Sequence, residues 1–231
     1  MDMDIVIQHA TVIDGTGAGG YRADVGIMAG RIETIGNLSD ASATETIDAT
    51  GMVVCPGFID AHTHVNSSVG TDTMHGDNLV RQGVTTVIGG NCGGSGWPIG
   101  EHLATVDRLG MKHNYAVLAG HHAIRRALFG DDQARFLTEA EYRLMQAEVE
   151  RAMDEGAFGV TVGYATNWET NDEVFAFAAP AGKRDGVYAS HIRSEREHLL
   201  QALGEILEVA QHTGIRVQIS HLKTMNPANW E

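Results

Sequence analysis

The stretch V-C-P-G-F-I-D-A-H-T-H at residues 54–64 decides the fold class of this chain. An apolar pair typical of a strand, Phe58 and Ile59, is followed by two histidines one residue apart. Residues i and i+2 of an extended backbone point to the same face, so the imidazoles of His62 and His64 are expected to project together. Two neutral imidazoles at the end of a buried strand suit a divalent transition metal. Taken alone, the pair fits a structural role equally well.

Length and composition are those of a soluble globular protein. The 231 residues allow one large domain, or one domain with a small module. A net charge of −14 argues against a nucleic-acid or anionic-membrane partner. No run approaches the roughly eighteen apolar residues of a membrane span, and the N-terminus lacks the basic region of a signal peptide. The cysteines, Cys55 and Cys92, are interpreted as unpaired thiols in a reducing cytoplasm.

Residues 1–54 are predicted to form a small β-sandwich module. Short apolar runs at 5–7 and 11–13 are separated from a hairpin pattern at 24–36 by a turn rich in glycine. No helical periodicity occurs in this part of the chain, and no residue in it suggests chemistry.

Residues 55–231 alternate between strand-like runs and helical stretches, which predicts a parallel sheet. Six such βα units indicate an α/β fold, an incomplete (β/α)8 TIM-type barrel, in which chemistry is found at the C-terminal ends of the strands. The predicted strands are 57–59, 85–88, 115–118, 158–162, 187–190 and 216–220.

The helix boundaries are predicted from capping residues and proline. Capping boxes are expected at Thr138 with Glu141, at Thr170 with Glu173 and at Ser194 with Glu197, the last opening a helix over about 195–213. The helix before Pro180 is predicted to be short, because proline ends or kinks a helix.

Metal-binding side chains follow four of the predicted strands. A histidine after a strand is more often a hydrogen-bonded core residue, and a buried cysteine is usually a small hydrophobe. The coincidence of all of them at one end of one barrel favours a metal site. These residues are His62, His64, Cys92, His191 and His221.

Five motifs carry a resemblance to a known family: P-G-F-I-D-A-H-T-H at 56–64, G-V-T-T-V-I-G-G-N-C-G at 83–93, G-A-F-G-V-T-V-G at 156–163, Y-A-S-H-I-R at 188–193 and V-Q-I-S-H-L-K at 217–223. Through them the chain resembles the amidohydrolase superfamily and, within it, the D-aminoacylase branch of N-acyl-D-amino-acid deacylases. The resemblance runs along the whole chain and covers the N-terminal half of a typical member. Its N-C-G and S-H-x-K pieces are specific to this branch.

The resemblance implies a zinc-dependent hydrolase with two adjacent metal positions. Cys92, His191 and His221 are similar to the ligands of a tight zinc site. His62 and His64 are similar to ligands of a second, weaker site, which the Cys92 thiolate is also able to reach. Lys223 is similar to a lysine that pairs with the substrate carboxylate. Arg193 is a candidate substrate or supporting contact, with an exposed position on the rim as the alternative reading.

The lysines distinguish this branch from lysine-bridged relatives. Many amidohydrolases bridge their metals with a carbamylated lysine on the fourth strand, but the only lysines here are Lys112, Lys183 and Lys223. None lies in the fourth predicted strand, so Cys92 is the available bridging group. A hydantoinase-like or dihydroorotase-like amidase is retained as the alternative enzyme.

Two features depart from the family pattern. The aspartate that relays the proton in this family ends the eighth strand and is expected beyond Glu231, so the barrel is predicted to be truncated before strands 7 and 8. The chain is then either an inactive fragment that only binds metal or half of a split enzyme completed by a second chain. In addition, the family's substrate-contacting tyrosine lies three residues after the strand-end glycine, whereas Tyr164 directly follows Gly163.

Overall fold

The computed structural model describes residues 2–65, 76–164, 168–227 and 230. The chain divides into two compact units, Met1–Gly57 and Phe58–Glu231. The predicted division after residue 54 lies three residues before this one and stays a prediction. Within the described ranges, no helix is both long enough and apolar enough to cross a membrane.

The first unit is a mixed five-stranded sheet. Its order is β3-β2-β1-β4, and the short β5 pairs with the C-terminal end of β1. Neighbours β1, β2 and β3 are antiparallel, whereas β4 and β5 run parallel to β1. The strands are β1 (Asp2–Val12), β2 (Tyr21–Met28), β3 (Arg31–Gly36), β4 (Ser42–Asp48) and β5 (Val53–Val54).

The apolar runs at 5–7 and 11–13 belong to one strand rather than to two short ones, because β1 is continuous and contains a bulge. The register of β1 against β2 shifts between Ile7 and Ala10. His9, inside the bulge, has a φ of 62°, and its backbone N–H donates to the Asp24 carboxylate at 2.8 Å. A bulge places one extra residue in a strand and interrupts the alternation of apolar side chains from which strands are predicted.

The second unit is an incomplete parallel barrel, as predicted. Its six strands follow the order β11-β10-β9-β8-β7-β6, so sequential strands are neighbours throughout. Both ends of the series, β6 and β11, are edge strands of the described sheet. The strands are β6 (Phe58–Asp60), β7 (Val84–Gly89), β8 (Asn114–Gly120), β9 (Gly159–Val162), β10 (Val187–Ser190) and β11 (Arg216–Ile219).

Helices lie between these strands in the chain, and all except the short α1 bury apolar residues. The shared core includes Val160 and Val162 of β9, Met145, Phe177 and Ile206, all at most 1% exposed. The helices are α1 (Asp77–Val80), α2 (Ile99–Leu109), α3 (His121–Phe129), α4 (Glu139–Asp154), α5 (Asn171–Gly182) and α6 (Leu199–Thr213).

Two of the three predicted helix starts are confirmed. Thr138 and Glu141 form a reciprocal capping box at the start of α4. Thr170 caps α5 by accepting from the backbone N–H of Glu173, although the Glu173 side chain is bound elsewhere.

The predictions for Pro180 and for the start of α6 were wrong. Helix α5 continues through Pro180 to Gly182. Pro180 lies in its last turn, and burial of Val174, Phe177 and Ala181 on its face favours the continuous helix. Helix α6 begins at Leu199 rather than near residue 195, so residues 194–198 form a loop at the C-terminal end of β10.

Candidate metal centre

Three donor atoms converge just beyond the ends of β6 and β7. The Cys92 Sγ lies 3.5 Å from the His62 Nε2 and 3.5 Å from the His64 Nε2. Tetrahedral zinc with its usual bonds to sulfur and nitrogen places such atoms about 3.5 Å apart. The donor set, one thiol and two imidazoles, also suits this metal. These residues therefore fit a transition-metal site without rearrangement.

The turn at residues 90–93, here called the Cys92 turn, is fixed by its backbone. Gly90, Cys92 and Gly93 have positive φ angles of 81°, 60° and 75°. Asn91 is 2% exposed, and its side-chain amide donates to the Ile88 carbonyl at 2.8 Å and to the Thr63 carbonyl at 3.3 Å. Asn91 thus ties the Cys92 turn to the His62–His64 segment, because Thr63 lies between the two histidines.

A second group lies at the ends of β10 and β11. His191 and His221 have ring centroids 4.3 Å apart. Glu195 belongs to the same group, since its Oε1 lies 2.6 Å from the His221 Nδ1. Donor atoms of these three residues all lie within 4.8 Å of one another.

The two groups are adjacent. The ring of His62 lies 5.4 Å from that of His221 and 6.1 Å from that of His191, centroid to centroid. The Nδ1 of His62 is 3.0 Å from the Ser220 Oγ, which fixes this ring with its Nε2 towards Cys92. The structure therefore gathers all five sequence-predicted ligands at one rim, as two neighbouring clusters.

The Cys92 thiol lies among different histidines from those that the resemblance implies. The recorded contacts of the Cys92 thiol are with His62 and His64 rather than with His191 and His221. The assignment of Cys92 to a tight site with His191 and His221 stays a prediction.

The local environment favours neutral imidazoles at His62 and His191. Burial lowers the pKa of His62, and neighbouring His64 and His221 lower it further. Burial likewise lowers the pKa of His191, with His221 and His62 adding to the effect. Burial raises the pKa of the Cys92 thiol, so in the absence of a cation this sulfur retains its proton. The imidazoles of His62 and His191 are thus ready to bind a metal, whereas Cys92 must lose a proton on binding.

The predicted substrate residues are engaged within the protein. The Lys223 Nζ lies 2.6 Å from the Glu195 Oε2. The Arg193 Nε lies 2.8 Å from the Glu205 Oε2, and its guanidinium carbon is 4.2 Å from the centroid of the Tyr164 ring. Arg193 and Glu195, the partner of Lys223, line a cavity of about 410 Å³. Its other lining residues are Gly163, His191, Ile192, Ser194, Arg196, His221 and Met225.

Sequence reasoning missed Glu195 and Ser220, which contact the candidate ligands His221 and His62, and Asn91, which donates to the Thr63 carbonyl between His62 and His64. It interpreted residue 195 as the first turn of a helix. Only their place in the sequence could have indicated Ser220 and Asn91, since Ser220 directly precedes His221 and Asn91 directly precedes Cys92. Residues adjacent to metal ligands commonly orient them.

A separate buried polar network surrounds α3. The His121 Nε2 lies 2.7 Å from the Glu173 Oε1, and Arg125 pairs with the same carboxylate. The His122 Nε2 lies 2.7 Å from the Glu169 Oε1. Each ring is paired with a carboxylate through its Nε2, whereas the buried His121 Nδ1 and Glu173 Oε2 have no hydrogen-bond partner among the described residues.

Comparison with known proteins identifies the family. The profile of the amidohydrolase family (Amidohydro_3) matches residues 45–230. The chain belongs to the amidohydrolase family. A D-aminoacylase of Alcaligenes xylosoxydans xylosoxydans is 33% identical across 98% of this chain and 52% of its own length. An N-acyl-D-glutamate deacylase of the same organism is 35% identical across 99% of this chain and 51% of its own length. The chain thus spans about half the length of these relatives.

Solved structures of the same two kinds of enzyme superpose on this chain. An N-acyl-D-glutamate deacylase from Bordetella bronchiseptica, complexed with zinc and a phosphonate mimic of the tetrahedral intermediate, superposes with a TM-score of 0.92 at 32% identity. The match covers 100% of this chain and 53% of that one. A D-aminoacylase described as having a binuclear metal centre gives a TM-score of 0.89 at 34% identity, over 98% of this chain and 53% of that one. A D-hydantoinase at 18% identity and a TM-score of 0.65 shares the fold.

Proposed function

We propose that this chain provides the metal-binding half of a zinc-dependent hydrolase of N-acyl-D-amino acids. The observation that carries the proposal is the convergence of His62, His64 and Cys92 with His191 and His221 at one rim of a parallel half-barrel. The deacylases to which the chain is similar support the substrate class.

The metal ligands in this proposal are the five rim residues, with one tight zinc site and a second, weaker one. Bound zinc would lower the pKa of a water to about 7 and polarise the scissile carbonyl. Ser220 and Glu195 hold the rings of His62 and His221 through their Nδ1 atoms. The Nε2 atoms are then free to ligate, which is the usual arrangement of zinc-binding histidines with an outer partner.

The substrate is placed in the 410 Å³ cavity beside the rim. Its size suits a small molecule. Lys223, which pairs with Glu195 of the cavity wall, supplies the positive charge for the substrate carboxylate, and Arg193 supplies a cation at the wall itself. An N-acyl amino acid carries one such carboxylate, so the charge of the site and that of the substrate are complementary.

The remaining strands of the barrel belong to the complete enzyme in this proposal. The relay carboxylate is expected on the eighth strand, outside this chain, supplied either by further residues of the same polypeptide or by a second chain. The lysine-bridged alternative is not favoured, because β9 has the sequence Gly-Val-Thr-Val and carries no lysine. Cytoplasmic location is proposed from the two free cysteines, Cys55 and Cys92.

A chiral assay of the completed barrel tests this function. The chain is combined with the segment that supplies strands 7 and 8, and release of the amino acid is measured from N-acetyl-D- and N-acetyl-L-substrates. We expect turnover of the D-enantiomer that is abolished by a chelator and restored by zinc. Turnover of the L-enantiomer alone, or of hydantoins in preference to both, would remove the proposal.

A further inference from the structure

Glu195 occupies a position between the candidate metal centre and the candidate substrate cation. Its two carboxylate oxygens have different partners, with Oε1 2.6 Å from the His221 Nδ1 and Oε2 2.6 Å from the Lys223 Nζ. The Lys223 Nζ is itself 3.1 Å from the His221 Nδ1. One carboxylate therefore contacts both a predicted zinc ligand and the predicted anchor of the substrate carboxylate.

The backbone around Glu195 is built to hold it there. The Glu195 carbonyl accepts from the backbone N–H of Met225 at 2.8 Å, which ties the loop after β10 to the loop after β11. Nearby, the Asn226 side chain donates to Glu197 at 2.8 Å. The Glu195 side chain is only 15% exposed. These links explain why residues 194–198 remain a loop instead of forming the first turn of α6.

The Glu195 carboxylate faces a donor group with each of its oxygens. Its Oε1 lies against the His221 ring, and its Oε2 lies against the Lys223 ammonium group. An ionised carboxylate next to Nδ1 keeps the proton on that nitrogen and leaves the Nε2 lone pair of His221 for a metal.

On this geometry we propose that Glu195 is a positioning residue that couples the metal centre to recognition of the substrate carboxylate. The inference rests on the proposed metal centre. Glu195 acts through His221 and Lys223 rather than as a zinc ligand, because both of its oxygens are already engaged. It fixes the ring orientation of His221, and the same charge fixes the place of the Lys223 ammonium group.

The test compares zinc affinity of the 231-residue chain with that of two matched variants. Glu195→Gln removes the charge but keeps the size, and Glu197→Gln makes the same change two residues away, where the recorded side-chain partner is Asn226. Affinity is measured by competition with a chromogenic chelator, and the visible spectrum of the Co²⁺-loaded protein reports ligand geometry. We expect Glu195→Gln to weaken zinc binding by about 10–100-fold and to alter the Co²⁺ spectrum, with Glu197→Gln unchanged.

The zinc affinities distinguish failure of the positioning role from failure of the metal centre. Equal affinities and spectra in wild type and Glu195→Gln would overturn the positioning role while leaving the metal centre intact. Failure of the wild type to bind zinc would overturn the metal centre, and the inference with it. If Glu195→Gln does not fold, as judged by circular dichroism, Glu195→Asp replaces it. This variant keeps the charge but withdraws it by one methylene, and zinc affinity within twofold of wild type would then refute the proposal.

Discussion

The Cys92 turn offers a sharp test of how the fold positions the thiol. Gly90 has a φ of 81°, and a Cβ on it would overlap the carbonyl oxygen of Leu118 and lie 2.9 Å from the Leu118 amide nitrogen. Leu118 is 1% exposed and belongs to β8, so its backbone cannot move aside. For Gly90→Ala, the left-handed conformation costs about 1–2 kcal/mol and the clash about 1–3 kcal/mol. The expected loss of unfolding free energy is therefore about 2–5 kcal/mol.

Gly94→Ala is the matched control, because its Cβ would meet nothing closer than the Asn91 carbonyl oxygen at 3.9 Å. The assay is urea denaturation of both variants, followed by zinc affinity under native conditions. Gly90→Ala should unfold at a clearly lower urea concentration and bind zinc more weakly, while Gly94→Ala stays within about 0.5 kcal/mol of wild type. Equal stabilities of the two variants would refute the claim that backbone packing fixes the position of Cys92.

Three further predictions follow from other residues. Burial lowers the pKa of His102, so the unfolded chain binds a proton that the folded chain excludes. The free energy of unfolding should therefore fall as the pH drops below about 6.5. His102→Gln should reduce this fall, as measured by urea titrations at pH 7.5 and 5.5. Thr138→Ala removes the cap of α4 and should cost about 0.5–2 kcal/mol in the same denaturation assay, an effect that an unchanged midpoint would contradict. Lys223→Met should raise the KM of the completed enzyme at least tenfold, because a charged hydrogen bond worth about 1.5–3 kcal/mol is lost; an unchanged KM would exclude Lys223 from carboxylate binding.

Strand positions and metal-binding residue types were predictable, because both depend on local sequence. The run at 57–59 with its H-x-H tip, and the recurring apolar segments after it, determine a parallel sheet with polar strand ends. The continuity of β1 was not predictable, since the His9 backbone N–H in the bulge donates to the carboxylate of Asp24, a residue fifteen positions away.

The role of Glu195 depends on non-local contacts. Its partners, His221 and Lys223, follow the next strand and lie 26 and 28 residues further along the chain. The local pattern Ser194-x-x-Glu197 favoured a helix start, but Ser194 instead accepts from the backbone N–H of Arg196. Local sequence also failed to predict the end of α5, because tertiary burial of its apolar face outweighed the helix-breaking tendency of Pro180.

The zinc content of the purified chain tests the central claim most directly. It is measured by atomic absorption on the wild type, on Cys92→Ser and on the control Cys55→Ser, which alters the other, exposed cysteine. The account predicts about one zinc per chain in wild type and in Cys55→Ser, with loss in Cys92→Ser. Zinc that persists in Cys92→Ser, or a wild-type chain that binds none, would contradict a thiolate metal centre at this rim.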